Sequence, residues 1–285
     1  MRFELVGGLG NQLFQWAAAN YYAQMTKNTT ILDITFCSDR FKAHKSSISD
    51  LEFNAGFVLP IEISSNPITA YSGEWLASRS LYLNKARNMI QDRYIVKATG
   101  YIEDLGYKNP KRLRGYFQTY KYLENLSENP MQAGLSTKNT YSSIRDSDEV
   151  AIHIRRGDYL ALKDSFGVLS NQYYLRAINR LKEIVTPSKI VIFSNDIQAA
   201  ESLAKDIGPV AHVFEANTDA SDASILIELS GFNYIITANS SYSWWGAALN
   251  NKKTVIYPKP WFRSLEQPRD LIPPDWISCA ASWID

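Results

Sequence analysis

The chain has 285 residues, 45% of them hydrophobic and 21% charged, enough for packed cores in one large domain or two ordinary ones. Lysine and arginine total 30 against 29 acidic residues, and a formal net charge of +1 excludes a nucleic-acid-binding surface spread over the whole protein. The two cysteines, Cys37 and Cys279, lack CxxC spacing, which excludes a disulfide framework or a cysteine zinc site and leaves a single disulfide open.

In chain order, "RFELV" (2–6) predicts a short strand, "GGLGNQ" a turn, "LFQWAAANYYAQMT" (13–26) a helix and "TTILDI" (29–34) a second strand. This alternation is the pattern of βαβ units with a parallel sheet. Five strand residues before a glycine turn are too short for a signal-peptide core, and no run of 18 apolar residues occurs. The protein is therefore expected to be cytoplasmic, at most peripheral to the inner face of the membrane, with inert sequons at Asn28, Asn125 and Asn239.

A helix is predicted over 74–90, a strand over 112–117 and a short helix over 120–126. The aromatic segments "YSGEWL" and "GYFQTYKYL" suit either stacking on sugar rings or plain packing. Residues 127–148 are polar, rich in turn formers and without apolar period, and read as the boundary between domains 1–145 and 146–285. The alternation then restarts: strand "VAIHI", helix 171–184, strand "KIVIFS", helix 197–206 and strand "AHVFE". Helix 222–230, strand "YIITA", helix "SWWGAALN" and strand "KTVIY" follow. In a two-domain α/β protein of this kind, ligands bind outside the carboxyl ends of the strands.

Four stretches carry candidate chemistry. In "VGGLGNQLFQ" (6–15), Gly7, Gly8 and Gly10 permit a tight turn, and the next helix aims its N–H groups at an anion. The spacing is neither G-x-G-x-x-G nor a Walker A, so a plain βα turn competes; Asn11 and Gln12 add donors and acceptors suited to hydroxyls and phosphate oxygens. In "HIRRGDY" (153–159), strand alternation puts Ala151, His153 and Arg155 on one face and Ile152 and Ile154 on the other. Gly157 releases the chain there, so Arg156 swings out. An arginine inside water-excluding walls needs an anion: a phosphate, or a carboxylate such as Asp158. The RGD match at 156–158 is set aside as chance.

Ser194, Asn195 and Asp196 end a strand and suit a helix cap. Asn239, Ser240, Ser241 and Ser243 crowd a strand end before a small-residue helix, where hydroxyls and N–H groups suit a phosphate; Trp244 and Trp245 read as core beneath it. In "DASD", Asp219 and Asp222 are each candidates for an N-cap or for a carboxylate that reads guanine. The "DSD" at 146–148 imitates a metal-binding DxD but precedes a strand instead of leaving one, and reads as a solvated linker.

"GGLGNQLFQ", "HIRRGDY", "FSND" and "TANSSYSWWGAAL", in that order over residues 7–249, resemble the α-1,2-fucosyltransferases, inverting enzymes that use GDP-fucose. The HxRRxD element is also similar to that of α-1,6-fucosyltransferases, and GxGNQ to protein O-fucosyltransferases. The resemblance implies a GT-B-like α/β fold, two Rossmann-like halves facing across a cleft, with residues 1–145 on the acceptor side and 146–285 binding GDP-fucose. It implies no cofactor and no metal. Arg155 would clamp the β-phosphate with Arg156 beside it, and Ser194, Asn195, Asn239, Ser240 and Ser241 would complete the donor site. His153 and Asp222 would lie near the nucleoside, with Asp222 reading guanine. Gly8, Gly10 and Gln12 would face the donor from the opposite domain, and Asn11 would sit with the reacting groups. Asp158 is the first candidate for the base and Asp164 the second, beside a mechanism with little base assistance. The implied acceptor is the 2-hydroxyl of a galactose-terminated oligosaccharide or glycolipid, as in a surface-polysaccharide precursor. The competing readings are a fucosyltransferase of α-1,6 or protein-directed specificity and a nonenzymatic glycan- or nucleotide-binding module.

Overall fold

The computed structural model describes residues 1–27, 29–34, 37, 48–51, 61–64, 95–103, 112–124, 136–137, 140–141, 148–249 and 254–285. The helix expected over 74–90, "YSGEWL", Asn28, Asn125 and Asp146 lie outside the described residues. The chain divides into two compact units. The first is Met1–Ser49, Ala55–Asn129 and Pro268–Leu271; the second is Asp50–Asn54, Pro130–Gln267 and Ile272–Asp285.

The first unit holds β1 (Arg2–Glu4), α1 (Leu9–Thr26), β2 (Thr30–Asp33), β3 (Ile61–Ser64), β4 (Ile95–Ala98), β5 (Arg112–Gly115) and α2 (Lys121–Glu124). Its sheet is wholly parallel in the order β3-β2-β1-β5-β4. β1 runs between β2 and β5, so the topological switch lies beside the loop that leaves β1. Buried charge on β1 is matched: Glu4 pairs with Arg112 at 3.2 Å and with Arg114 at 2.6 Å. A buried carboxylate stripped of such partners would be strongly destabilising.

Helix α1 begins at Leu9, four residues earlier than expected, because Gly8 adopts the N-cap position and its carbonyl accepts from the N–H groups of Asn11 and Gln12. Gly10 therefore lies inside the first turn, where packing overrides its poor helix propensity. The excursion Pro268–Leu271 belongs with this unit because the Tyr120 N–H and the Thr119 hydroxyl both donate to the Asp270 carbonyl, and Lys121 pairs with the Asp270 carboxylate at 3.0 Å.

The second unit holds a ribbon of β6 (Ser136–Thr137) and β7 (Thr140–Tyr141), then β8 (Glu149–Ile154), α3 (Asn171–Lys182), β9 (Lys189–Ser194), α4 (Ile197–Ile207) and β10 (Ala211–Val213). It continues through α5 (Asp222–Ser230), β11 (Tyr234–Ile236), α6 (Ser241–Ala248), β12 (Thr254–Lys259) and β13 (Ile277–Ala280). The six strands are all parallel, in the order β10-β9-β8-β11-β12-β13. Parallel strands need crossovers, and helices cover both faces. Val150, Ile152 and Ile154 pack with Tyr173, Tyr174 and Leu203 of α3 and α4, while Ala151, Val191 and Phe193 pack with Leu229 and Ala247 of α5 and α6. The alternation read from "VAIHI" is thus realised in two cores. Trp244 and Trp245 are fully buried, as expected of core residues.

Residues 136–141, expected as structureless linker, instead include the antiparallel ribbon, which packs on α5. The contact boundary accordingly falls at Asn129–Pro130, ahead of the expected 145–146. β13 also went unforeseen: "ISCA" is short, follows a proline-rich stretch and shows no clear alternation. Cys37 and Cys279 are both free thiols.

Candidate functional site

The second sheet reverses its strand order between β8 and β11, and the loops leaving these two strands carry the predicted Arg155, Arg156, Asn239 and Ser240. β8 stops at Ile154 and the chain enters a 3-10 helix, Gly157–Leu162, none of whose residues is buried. Gly157 is required at the turn: its φ is +61°, and a Cβ there would meet Asn195 Nδ2 at 2.5 Å. Asn195 Oδ1 accepts from the Arg156 N–H at 3.0 Å, so the predicted Asn195 holds the end of β8 to the end of β9. Ser194 is likewise used locally, accepting from the Asp196 N–H at 2.9 Å. Asp196 is the cap of α4, accepting from Ala199 N–H at 3.0 Å, as its position suggested.

The two arginines diverge instead of forming one clamp. The charge of Arg155 acts on His153 and Tyr242, on the α5–α6 side of the sheet. The charge of Arg156 acts on Tyr174, in the core on the α3–α4 side. Alternation carried past Ile154 would give this split, whereas the expectation was that Gly157 frees Arg156 to swing out. Arg155 lies over the Tyr159 ring at 5.4 Å and pairs with Asp158 Oδ1 at 2.5 Å. Of the two roles open to Asp158, the ion pair is the one seen. Its carboxylate is 46% exposed, so the pair is worth at most about 1 kcal/mol and yields readily to a stronger anion. The Nε atoms of both arginines are buried and have no partner. Asp164 is exposed, and its backbone carbonyl accepts from Ser264 Oγ.

His153 is buried, and burial, helped by the Arg155 charge, lowers its pKa to about 3. The imidazole is neutral at physiological pH, with Nδ1 lacking a partner. It lies 5.3 Å from the Tyr242 ring. Tyr242, which the sequence did not single out, donates its hydroxyl proton to the Asp222 carbonyl at 2.7 Å. One ring thereby connects His153, α5 and α6. The cap of α5 is Ser221, accepting from Ser224 N–H at 3.1 Å, not Asp222 or Asp219. Asp222 is exposed in the first helical turn, so its carboxylate is left for other work.

At the end of β11, Ser240 caps α6, its oxygen accepting from Tyr242 N–H at 3.3 Å. The Ser240 hydroxyl proton is therefore directed elsewhere. Ser241 is the first residue of the helix, and Ser243 Oγ accepts from Ala238 N–H at 2.9 Å to hold the strand end. Asn239 is 1% exposed, which closes its sequon to glycosylation in the folded chain. Its Nδ2 donates to the carbonyls of Phe166 and Gly167, so it cannot donate to a phosphate as expected.

In the first unit the glycine loop is self-contained. Gly7 has φ +80°, and a Cβ there would strike Asn11 Nδ2 at 2.6 Å. Gln12, expected at the donor, is fully buried: its Nε2 donates to Gly7 O at 2.9 Å and its Oε1 accepts from Ile48 N–H at 3.2 Å. It holds the turn. Gln15, not among the expected site residues, donates to the carbonyls of Val6 and Gly115 and accepts from Val6 N–H, tying the ends of β1 and β5 together. Asn11 is half-buried, its Oδ1 accepting from Gln118 Nε2 at 2.9 Å. Among the described residues no group of three or more His, Cys, Asp or Glu side chains gathers as a metal site would, and no helix is long and apolar enough to cross a membrane.

Residues 2–279 match the model of glycosyl transferase family 11. The chain belongs to that family. The chain also has relatives that it matches over nearly their whole length. The chain is 29% identical to an alpha-1,2-colitosyltransferase of Escherichia coli, over 96% of either protein. It is 27% identical to the O-antigen biosynthesis glycosyltransferase WbnK of Escherichia coli, over 90% of this chain and 93% of that one. Among solved structures, fucosyltransferase NodZ from Bradyrhizobium superposes with a TM-score of 0.52 at 12% identity, covering 87% of this chain and 92% of NodZ. A NodZ alpha-1,6-fucosyltransferase crystal soaked with GDP-fucose gives a TM-score of 0.50 with the same identity and coverage. The fold is of the GT-B type, as the family resemblance implied, and the chain is a glycosyltransferase of family 11.

Proposed function

We propose that this family 11 glycosyltransferase moves L-fucose from GDP-fucose to the 2-hydroxyl of a terminal galactoside with inversion, using neither metal nor other cofactor. The observation that carries the reading is Arg155, an arginine with a buried unpartnered Nε, beside the N-terminus of α6 at the strand switch of the second sheet.

When the bond from fucose C1 to the β-phosphate oxygen breaks, the leaving GDP gains negative charge while the sugar becomes oxocarbenium-like. Arg155, the Ser240 hydroxyl and the first-turn N–H groups of α6 meet that charge, doing what a divalent cation does in other sugar-nucleotide enzymes. Asp158 leaves Arg155 as the diphosphate arrives and is the first candidate to take the proton from the acceptor hydroxyl, which attacks C1 from the face opposite GDP. Asp222 reads guanine, with His153 and Tyr242 forming the nucleoside side. Gly8, Gly10 and Asn11 belong to the acceptor-side domain. The O-antigen relative supports an acceptor in a surface-polysaccharide precursor, made on the inner side of the membrane. A second reading follows from the colitosyltransferase relative: the same nucleotide carrying colitose, which is L-fucose without its 3-hydroxyl.

Parallel incubations with GDP-fucose and with GDP-colitose over a panel of galactose-terminated glycans, followed by NMR of the product, test the reading. An α-1,2-linked fucose is expected. Another linkage, transfer of colitose alone, or GDP-fucose binding without any release of GDP would each replace it.

A further inference from the structure

The amide of Asn239 is held in one orientation. Nδ2 donates to Phe166 O at 2.9 Å and to Gly167 O at 3.1 Å, using both of its protons; a flipped amide would set oxygen against oxygen. The segment that supplies those carbonyls is itself fixed. Arg263 N–H donates to Phe166 O at 3.2 Å, and Ile284 N–H donates to Val168 O at 2.8 Å. Gly167, at φ +82°, lies so close to Trp283 that a Cβ would meet its ring at 2.5 Å. The Asn239 backbone carbonyl accepts from the Tyr159 hydroxyl at 3.3 Å, which links it to the ring under Arg155.

What remains is Asn239 Oδ1, a buried carbonyl oxygen without a hydrogen-bond partner. Such an oxygen costs stability unless a donor meets it. A diphosphate at neutral pH only accepts hydrogen bonds, so it cannot satisfy Oδ1. Ser240, the very next residue, has its hydroxyl proton directed away from the helix and does suit phosphate. The ligand group for Oδ1 must therefore be an O–H or N–H adjoining the diphosphate. Groups with hydroxyls flank a sugar nucleotide's diphosphate on both sides. The nucleoside side belongs to Asp222 and Tyr242 on α5 and α6, whereas Asn239 is anchored on the Phe166–Gly167 segment.

We propose that Asn239 is a specificity-determining residue whose Oδ1 accepts a hydrogen bond from a hydroxyl of the transferred sugar, so that it discriminates fully hydroxylated from deoxy sugar nucleotides. The proposal rests on the sugar-nucleotide reading above. A site built around a hydroxyl rejects the analogue that lacks it, because its own polar group is left buried and unpaired. Fucose and colitose differ by one such group.

The test is competition binding of GDP, GDP-fucose and the 2-, 3- and 4-deoxyfucose analogues of GDP-fucose to the full chain and to Asn239→Ala. In the wild type one deoxy analogue should bind about ten- to a hundredfold more weakly than GDP-fucose. In Asn239→Ala that penalty should vanish, with GDP affinity changed less than threefold. Should the alanine variant not fold, a crystal of the wild type soaked with GDP-fucose decides: a sugar hydroxyl should lie within about 3 Å of Oδ1, and any other donor there would overturn the proposal. Equal losses for GDP and GDP-fucose in the variant would assign Oδ1 to the nucleoside or to structure and overturn the proposal. So would a wild type indifferent to every deoxy analogue, or a penalty that survives in Asn239→Ala. Failure of GDP itself to bind the wild type would instead reject the sugar-nucleotide reading.

Discussion

The two glycine-marked loops that leave β1 and β8 occupy equivalent places, each at the switch point of a parallel sheet, and they are finished differently. After β1, Gln12 and Gln15 turn inward, and their amides satisfy the backbone of Gly7, Val6, Ile48 and Gly115. After β8, two cations and an imidazole crowd one strand end, and His153 Nδ1, Arg155 Nε and Arg156 Nε have no partners. Among the described residues, the buried side-chain nitrogens and oxygens lacking partners all lie in the second unit. One loop completes itself as scaffold. The other keeps polar capacity that the protein alone does not use, which is the mark of a ligand site.

The sharpest way to break this contrast is to remove its main cation. Arg155→Ala should slow transfer about 10²–10³-fold, roughly 3–4 kcal/mol in the barrier, while the melting curve stays cooperative and near that of the wild type. A near-wild-type rate would place the leaving-group contact elsewhere. The opposite behaviour is expected of the scaffold loop. Gln15→Ala strands the groups it held and should lower stability by about 2–3 kcal/mol in urea titrations, with GDP affinity in the surviving folded protein little changed.

The buried imidazole provides a pH test of the second loop. A pKa near 3 in the folded state lies below the ordinary 6.5, so the unfolded chain binds the proton first as pH falls. The His153 contribution is complete above about pH 6.5 and is lost progressively down to about pH 3, at about 1.4 kcal/mol per pH unit. Between pH 6.5 and 5 the wild type should lose about 2 kcal/mol more than His153→Asn; parallel stability profiles would mean the ring is protonated where it sits. The smallest effect is reserved for Asp158→Asn. Releasing Arg155 from a half-exposed pair should change stability by less than about 1 kcal/mol and tighten GDP binding a few-fold. If Asp158 is also the base, turnover falls by about 10²-fold or more even as donor affinity rises, a split that separates the two roles.

Much of the second unit was legible because its strands alternate in a simple way. The period of two in "VAIHI" puts Ala151 and His153 on one face and Ile152 and Ile154 on the other, and β8 and its two cores obey it. Asp196 as a cap and the tryptophan pair as core followed from residue type and position alone. The first unit was less legible, since Gly8 and Gly10 disguised the start of α1, and packing overrode their propensity. Short elements such as the ribbon and β13 contain too few residues to show a period. Hydrogen-bond direction was beyond reach. Gln12, Gln15 and Asn239 are the same kind of side chain in the sequence, and only the carbonyls facing them decide that the first two close a turn while the third keeps an oxygen unmatched.

On the proposed function, one guanidinium at the end of β8 neutralises the diphosphate of the leaving nucleotide with no cation bound beside it. Calorimetric titration of GDP into the wild type and Arg155→Ala, both in excess chelator, addresses it directly. The wild type should bind and the variant should lose at least tenfold in affinity; equal affinity in the two, or wild-type binding that returns only with added divalent metal, would show that Arg155 does not act alone.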